Sequence, residues 1–213
     1  SSSATTWHVA PTGSDVGGDG SGASPFGTIQ HGIDVASAGD SVQVATGIYS
    51  EHLNFGGKAV VVFAPGGADW TIVEAASAGT PVVTFASGES AQSVLDGFTI
   101  KGSSGAPGIL CDHSSPVIRN CDVNSCSNPG NGGGMAVLNG SLPAVQGSRF
   151  WGNDAAQGGG MYIHASDPTI TDNAFVSNTA ANGAGLYIYS NAYPVVSRVL
   201  LAYNRASQDG GAV

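Results

Sequence analysis

The sequence predicts an all-β solenoid, which is a stack of similar coils built from short parallel strands. The first observation is a glycine cluster that recurs at offsets of 26, 25 and 27 residues, at 132–135, 158–161, 183–186 and 210–213. The second is a proline that opens a β-branched run in each repeat, at Pro116, Pro143, Pro168 and Pro194. Short strands separated by glycine turns at such a period are typical of solenoids.

Aligning the repeats on these prolines places like side chains in vertical columns. One apolar residue lies two positions after the proline, a second lies seven positions after it, and a third lies in the strand after each glycine cluster. The columns are Ile118, Val145, Ile170 and Val196; Val123, Phe150, Phe175 and Leu201; and Cys111, Val137, Ile163 and Ile188. Because side chains alternate between the two faces of a strand, three inward columns predict a coil with about three faces.

A polar column is predicted at the turn ten residues after each proline. Asn153, Asn178 and Asn204 recur there, and Cys126 takes the same place in the earlier repeat. Asparagine tolerates the left-handed backbone conformation, and its side-chain amide both donates and accepts hydrogen bonds. We therefore expect a structural ladder of asparagines in that conformation.

Residues 1–40 differ from the repeats and contain one strand, at 7–10, a glycine-rich loop and one helix signal. Ser24 is a suitable N-cap, Pro25 suits the first helical position, and Gly39 suits the end. One apolar face would hold Phe26, Ile29, Ile33 and Ala36. We expect this helix to cap the open core of the first coil, and residues 41–213 to form the coils.

Composition and charge exclude several kinds of partner. Only 10% of the 213 residues are charged, and the formal net charge is −9. Nucleic-acid binding needs clustered basic residues, and a negative chain is repelled by anionic membrane surfaces. No run approaches the roughly 20 apolar residues of a membrane helix. We therefore expect no nucleic-acid partner and no membrane insertion.

The three cysteines are Cys111, Cys121 and Cys126. Their spacing contains no CxxC metal pattern, and an odd number cannot all pair within one chain. Two interpretations remain open: the cysteines are small buried hydrophobic residues, or Cys121 and Cys126 bridge a turn. We predict no metal-binding set among them.

The repeats resemble a known family. Glycine clusters that alternate with the Phe-x-x-Asn motif at 150–153 and 175–178 are similar to the repeats of right-handed parallel β-helix proteins, including bacterial surface proteins of the polymorphic outer-membrane type. The segments 9–15, 24–30, 39–45 and 95–100 resemble the pectate-lyase-like superfamily.

This resemblance covers nearly the whole chain. It implies a single right-handed parallel β-helix of about seven coils with one N-terminal capping helix, secreted or on a bacterial cell surface. The fold hosts lyases, hydrolases, epimerases, adhesins and inert spacers, so it does not specify an activity.

The C-terminal end is expected to lack a cap. Val213 lies one strand into a new coil, and an uncapped solenoid end exposes an apolar core and unpaired backbone groups. We expect either a longer parent protein or a covering molecule. A homodimer or end-to-end stacking through the last coil would follow.

Aromatic residues are predicted on one outward face of the last two coils. Tyr162, His164, Tyr187 and Tyr189 alternate with the third apolar column. Aromatic rings on a flat ladder can stack on sugar rings, and phenol groups can bond sugar hydroxyls. The alternative is that these residues only stabilise the ladder, since tyrosine favours strands.

Two Asp–Arg pairs are the candidates for acid–base chemistry. Asp122 is expected beside Arg149, and Asp172 beside Arg198, on neighbouring coils. A cation beside a carboxylate keeps it ionised, which suits calcium or uronate binding in a polysaccharide lyase but not general-acid catalysis. The alternative is a pair of exposed ladder salt bridges, each worth under about 1 kcal/mol.

A calcium ion is a further candidate ligand, in the loop that holds Asp15 and Asp19. The spacing fits no EF-hand pattern, and aspartates in such loops usually serve turns. The five histidines show no ligand spacing.

Three functional hypotheses follow. The first is an adhesive or spacer module that contacts carbohydrate along the outward face that carries Tyr162, His164, Tyr187 and Tyr189. The second is a lyase-like enzyme acting on acidic polysaccharides. The third is a structural module that assembles through its open end.

Overall fold

The chain folds into a right-handed parallel β-solenoid of about six turns. A computed structural model describes residues 3–213. Within that range there are 25 short strands and one helix, and every named strand pair is parallel. The strands fall into four sheets that run along the solenoid.

The first sheet has eight strands and contains the column that follows the prolines. Its strands are β1 (Thr6–Val9), β2 (Ser41–Val44), β5 (Val61–Phe63), β8 (Val94–Asp96), β11 (Val117–Arg119), β15 (Ala144–Gln146), β19 (Thr169–Thr171) and β23 (Val195–Ser197). The second sheet follows it along each coil and has seven strands. They are β3 (Gly47–Ser50), β6 (Thr71–Glu74), β9 (Thr99–Lys101), β12 (Asp122–Asn124), β16 (Arg149–Trp151), β20 (Ala174–Val176) and β24 (Leu200–Ala202).

The third sheet is present only in the later coils and has four strands. They are β13 (Ser127–Asn131), β17 (Asp154–Gln157), β21 (Thr179–Asn182) and β25 (Arg205–Ala206). The fourth sheet completes each coil and has six strands. They are β4 (Leu53–Asn54), β7 (Val83–Phe85), β10 (Ile109–Asp112), β14 (Met135–Leu138), β18 (Met161–His164) and β22 (Leu186–Tyr189).

The coil count differs slightly from the predicted seven. Strand β1 pairs with β2 in the first sheet, but a loop and a helix follow β1 where a full coil would place further strands. The N-terminal segment therefore adds one strand, at residues 6–9, to the first sheet without adding a complete turn.

The three predicted apolar columns are confirmed by the strand registers. Ile118 pairs with Val145, Phe150 with Phe175, and Val137 with Ile163. These residues are fully buried, and the rings of Phe150 and Phe175 stack with centroids 4.9 Å apart. Only the last coil differs: Val196 is 41% exposed, and the outward-facing Val195 and Leu200 beside it are 62% and 58% exposed.

The asparagine ladder is present in the structure. The amide Nδ2 of Asn153 donates to Oδ1 of Asn178 over 3.1 Å, and Nδ2 of Asn178 donates to Oδ1 of Asn204 over 3.0 Å. The left-handed conformation, however, falls one residue earlier than predicted, at Gly152, Ser177 and Tyr203. The asparagines themselves point inward and use their amides to bond the turns of neighbouring coils.

The helix α1 (Ile29–Val35) begins later than predicted, with Thr28 rather than Ser24 as its N-cap and Ala36 rather than Gly39 at its C-cap. Residues before it are held in extended backbone, because Phe26 forms a β-bridge with Val9. The Asp15 carboxylate also accepts the N–H groups of Gly27 and Thr28. The predicted apolar face is confirmed, since Phe26, Ile29, Ile33 and Ala36 are all buried.

All three cysteines are free and buried in the described chain, so the Cys121–Cys126 bridge is wrong and the packing interpretation is confirmed. Burial raises the pKa of Cys121 to about 12 and that of Cys126 to about 11. No helix within residues 3–213 is long and apolar enough to cross a membrane.

Candidate functional site

Four aromatic rings form a two-by-two grid on the outer side of the fourth sheet. Strand register pairs Tyr162 with Tyr187 and His164 with Tyr189. Ring centroids of these pairs lie 5.8 Å apart across the coils. Along the strands they are separated by 6.3 Å in β18 and 6.2 Å in β22. Neighbouring ring planes are parallel to within 26°. We call these four residues the aromatic face.

The four rings are not equally accessible. Tyr189 is 54% exposed, Tyr187 and His164 are half-buried, and Tyr162 is only 6% exposed. Burial raises the pKa of Tyr162, and the neighbouring phenols of Tyr187 and Tyr189 add to this effect. Tyr162 therefore packs against its neighbouring rings and offers little surface of its own. A ligand would contact chiefly the other three rings.

Two glycine turns approach the tyrosine-bearing strands closely. A Cβ atom at Gly183 would lie 2.7 Å from Cδ2 of Tyr187, and one at Gly158 would lie 2.8 Å from Cα of Tyr162. Both glycines also have positive φ. A side chain at either turn would therefore clash with the residues that carry the rings.

The outer side of the fourth sheet continues as an apolar strip below the aromatic face. Leu110 pairs with Ala136, and Asp112 pairs with Leu138, on β10 and β14. Asp112 Oδ1 accepts hydrogen bonds from His113 Nδ1 and from Asn139 Nδ2, each over 2.8 Å. The carboxylate at this end is therefore already bonded within the protein.

The predicted pair Asp122–Arg149 lies on the second sheet, away from the aromatic face. The guanidinium Nη2 of Arg149 lies 2.5 Å from Oδ2 of Asp122, and Trp151 Nε1 donates to Oδ1 over 2.5 Å. Asn124 donates to the same Oδ1 over 3.3 Å. Arg149 also stacks on the Trp151 ring, 5.2 Å from its centroid. All of this carboxylate's partners are side chains of its own sheet.

The second predicted pair, Asp172–Arg198, lies in the turn between the first and second sheets. Both residues have positive φ, and two hydrogen bonds of 2.6 and 2.8 Å join their side chains. These bonds from Arg198 hold the pKa of Asp172 below its usual range. The structure thus forms both predicted pairs, one on the second sheet and one in the turn before it, whereas the tyrosines lie on the fourth sheet.

Sequence reasoning missed two features. The first is that Trp151 and Asn124 complete the Asp122 cluster. The sequence could have indicated them, because they lie two residues after the paired Arg149 and Asp122.

The second is a groove of about 470 Å³ over the third sheet, lined by Asp154, Ala155, Thr179, Ala180, Ala181, Arg205 and Ser207. Asp154, Thr179 and Arg205 occupy the same register position in successive repeats, 25 and 26 residues apart.

Calcium binding at Asp15 and Asp19 stays a prediction. The Asp15 carboxylate accepts from two backbone N–H groups and from Thr28 Oγ1, and Asp19 accepts from the N–H of Ser21. Within residues 3–213, no three His, Cys, Asp or Glu residues are grouped so as to hold a metal ion.

Two solved structures are similar to the chain. One is the pectin methylesterase PemA from Erwinia chrysanthemi, with 13% identity and a TM-score of 0.55, covering 90% of this chain and 62% of that one. The other is a rhamnogalacturonan lyase, with 15% identity and a TM-score of 0.49, covering 95% of this chain and 63% of that one. The chain spans less than two thirds of the length of each. At 13% identity the likeness to PemA shows the fold alone.

No curated protein sequence matches the chain. The family described as right handed beta helix region matches residues 76–212, which is more than half of the sequence. The chain therefore belongs to the family of right-handed β-helix proteins.

Proposed function

We propose that the chain is an extracellular or cell-surface module that binds carbohydrate through the aromatic face. The observation that supports this is the grid of near-parallel rings spaced 5.8 to 6.3 Å apart, with Tyr189 half exposed. Exposed rings at a regular spacing offer apolar surface to the C–H faces of sugars, and their phenol groups offer hydrogen bonds to hydroxyls. The similarity to PemA supports only the β-helix fold on which this face is built.

Binding to immobilised polysaccharides tests this proposal. We expect the wild-type chain to be retained, and Tyr187→Ala and Tyr189→Ala to weaken retention by about tenfold, since each removes one stacking surface. Tyr203→Ala is the matched control, because Tyr203 is 87% exposed but lies in a turn after the second sheet. Equal retention of all four proteins would contradict the proposal.

The acid–base pairs give less support to an enzyme. A lyase needs a free base beside the substrate, together with a group that neutralises the uronate. Here Asp122 and Asp172 are each occupied by an arginine of the next coil. We expect no unsaturated uronate product from acidic polysaccharides, with or without calcium. A calcium-dependent product that disappears in Arg149→Ala would favour the enzyme instead.

Assembly through the last coil stays a prediction. End-to-end stacking would occur through β23 and β24, the last strands of their sheets, where the inward Val196 is 41% exposed. Sedimentation at increasing protein concentration tests it, and a constant monomer mass would contradict it.

A further inference from the structure

We infer that the carbohydrate bound at the aromatic face is a neutral glycan, and that uronate-containing glycans are rejected there. This inference rests on the proposed function and deepens it. The argument comes from where the few cationic groups of the chain lie and what they already bond.

Five of the six Lys and Arg residues bond groups of the protein itself. Lys58 donates to carbonyl oxygens of α1, at 2.6 to 3.1 Å. The other four pair with carboxylates on neighbouring coils: Lys101 with Glu74, Arg119 with Asp96, Arg149 with Asp122 and Arg198 with Asp172. Among residues 3–213, only Arg205 lacks such a partner, and it lies on the third sheet beside the groove.

The fourth sheet carries no Lys or Arg in any of its six strands. Among the outward residues of β10, β14, β18 and β22, Asp112 is the one carboxylate. It pairs with Leu138 of the next coil. A uronate carboxylate placed on this face would lose water without gaining a cationic partner, which is costly. The net charge of −9 adds a general repulsion of polyanions.

The remaining outward residues suit a neutral sugar chain. Leu110 and Leu138, which are partly exposed, continue the strip of Tyr187, Tyr189 and His164 over four successive coils. With neighbouring coils about 4.8 Å apart, the strip is about 14 Å long. Its length suits a short oligosaccharide lying along the solenoid axis, with C–H groups on the apolar residues and hydroxyls near the phenols.

Matched pairs of glycans test the inference. The probes are oligomers of β-1,4-linked glucose, mannose and galactose, each compared by calorimetry with the same oligomer oxidised at C6 to the uronate. The measurement is made at pH 8, above the ordinary pKa of about 6.5 for a free imidazole. We expect a neutral oligomer to bind and its uronate to bind at least about tenfold more weakly. Leu138→Lys should raise the affinity for the uronate while leaving Tyr189 in place, since it supplies the missing cation.

The outcomes separate the two proposals. A uronate that binds as tightly as its neutral partner, and that loses binding in Tyr189→Ala, would overturn the neutral-glycan inference and keep the proposed function. Binding of any oligomer that is unchanged in Tyr189→Ala and Tyr187→Ala would overturn both, as would the absence of binding to every pair.

Discussion

Glu51 and Lys58 bind opposite ends of helix α1, although both lie in the coil beneath it. The two carboxylate oxygens of Glu51 accept the N–H groups of Ile29 and Gln30, each over 2.9 Å. The ammonium group of Lys58 donates to the carbonyl oxygens of Ile33, Asp34 and Ala36. An anion at the N-terminus and a cation at the C-terminus both match the helix dipole. This arrangement fixes a helix of seven residues, which would not be stable alone.

Replacing Lys58 is expected to loosen this cap. Lys58→Met keeps most of the apolar stem but removes all three hydrogen bonds, so we expect a loss of about 1–3 kcal/mol in the free energy of unfolding. Urea denaturation followed by circular dichroism measures it. Lys101→Met is the control, because Lys101 and Glu74 form a surface pair at 3.5 Å that is worth under about 1 kcal/mol. Equal losses in the two variants would contradict the role given to Lys58.

Glu89 is expected to make stability depend on acid pH. This carboxylate is 2% exposed and accepts from the N–H groups of Gly57 and Ser87 and from Ser114 Oγ. Burial alone would raise its pKa, but these hydrogen bonds outweigh burial and hold the pKa below its usual value of 4.5. A carboxyl with a lowered folded-state pKa stabilises the protein above the unfolded-state value. That stability is lost as the pH falls through the folded-state pKa.

The comparison of wild type with Glu89→Gln measures this effect. We expect the variant to be less stable at pH 7, and the difference to shrink as the pH falls below 4.5. The free energy of unfolding at several pH values is the measurement. Parallel pH profiles for the two proteins would show that Glu89 does not contribute.

Asn178 is expected to be the most sensitive rung of the asparagine ladder. It is fully buried, its Nδ2 donates to Phe150 O and Asn204 Oδ1, and its Oδ1 accepts from the N–H and Nδ2 of Asn153. Asn178→Ala leaves several of these groups without a partner, at about 1–3 kcal/mol for each buried one. Thermal unfolding should show a smaller loss for Asn204→Ala, because Asn204 is only partly buried. A larger loss at Asn204 would be the contrary result.

The cysteines are expected to be unreactive in the folded protein. Burial raises the pKa of Cys111 well above 9.0, and it also raises the pKa of Cys121 and Cys126. Because the thiolate is the reactive form, a thiol reagent at pH 8 should label no site in the native chain and all three in denaturant. Ser127→Cys is the control, since this exposed neighbour of Cys126 should be labelled at once. Rapid labelling of the native wild type would show that the coils open easily.

Periodic features of the fold were predictable from the sequence, and contacts between distant segments were not. The columns through Ile118, Phe150 and Ile163 follow from the repeat, because one strand register serves every coil. The start of α1 could not be predicted, since it depends on the β-bridge between Phe26 and Val9.

In the candidate site, too, positions set by the repeat were predictable from the sequence, and the details of side-chain packing were not. The positions of the four aromatic residues on one face follow from alternation along β18 and β22. The unequal exposure of these rings, 6% for Tyr162 and 54% for Tyr189, does not follow from alternation. Likewise, the repeat places Trp151 on the coil next to Asp122, but the hydrogen bond between them depends on side-chain conformations that the repeat does not specify.

The inner glycines Gly134, Gly160 and Gly185 limit how this protein can change length during evolution. A Cβ atom at each would lie 2.5 Å from a carbonyl oxygen of the following coil. An insertion of part of a repeat would place a larger residue against that carbonyl oxygen. It would also shift the asparagines out of register, so that their side chains no longer pair between coils. Duplication of one whole repeat, 25 to 27 residues, keeps every contact in phase. Duplication of the repeat that carries Tyr187 and Tyr189 would thus lengthen the aromatic face by one coil. Under the proposed function, it would also lengthen the glycan that this face covers.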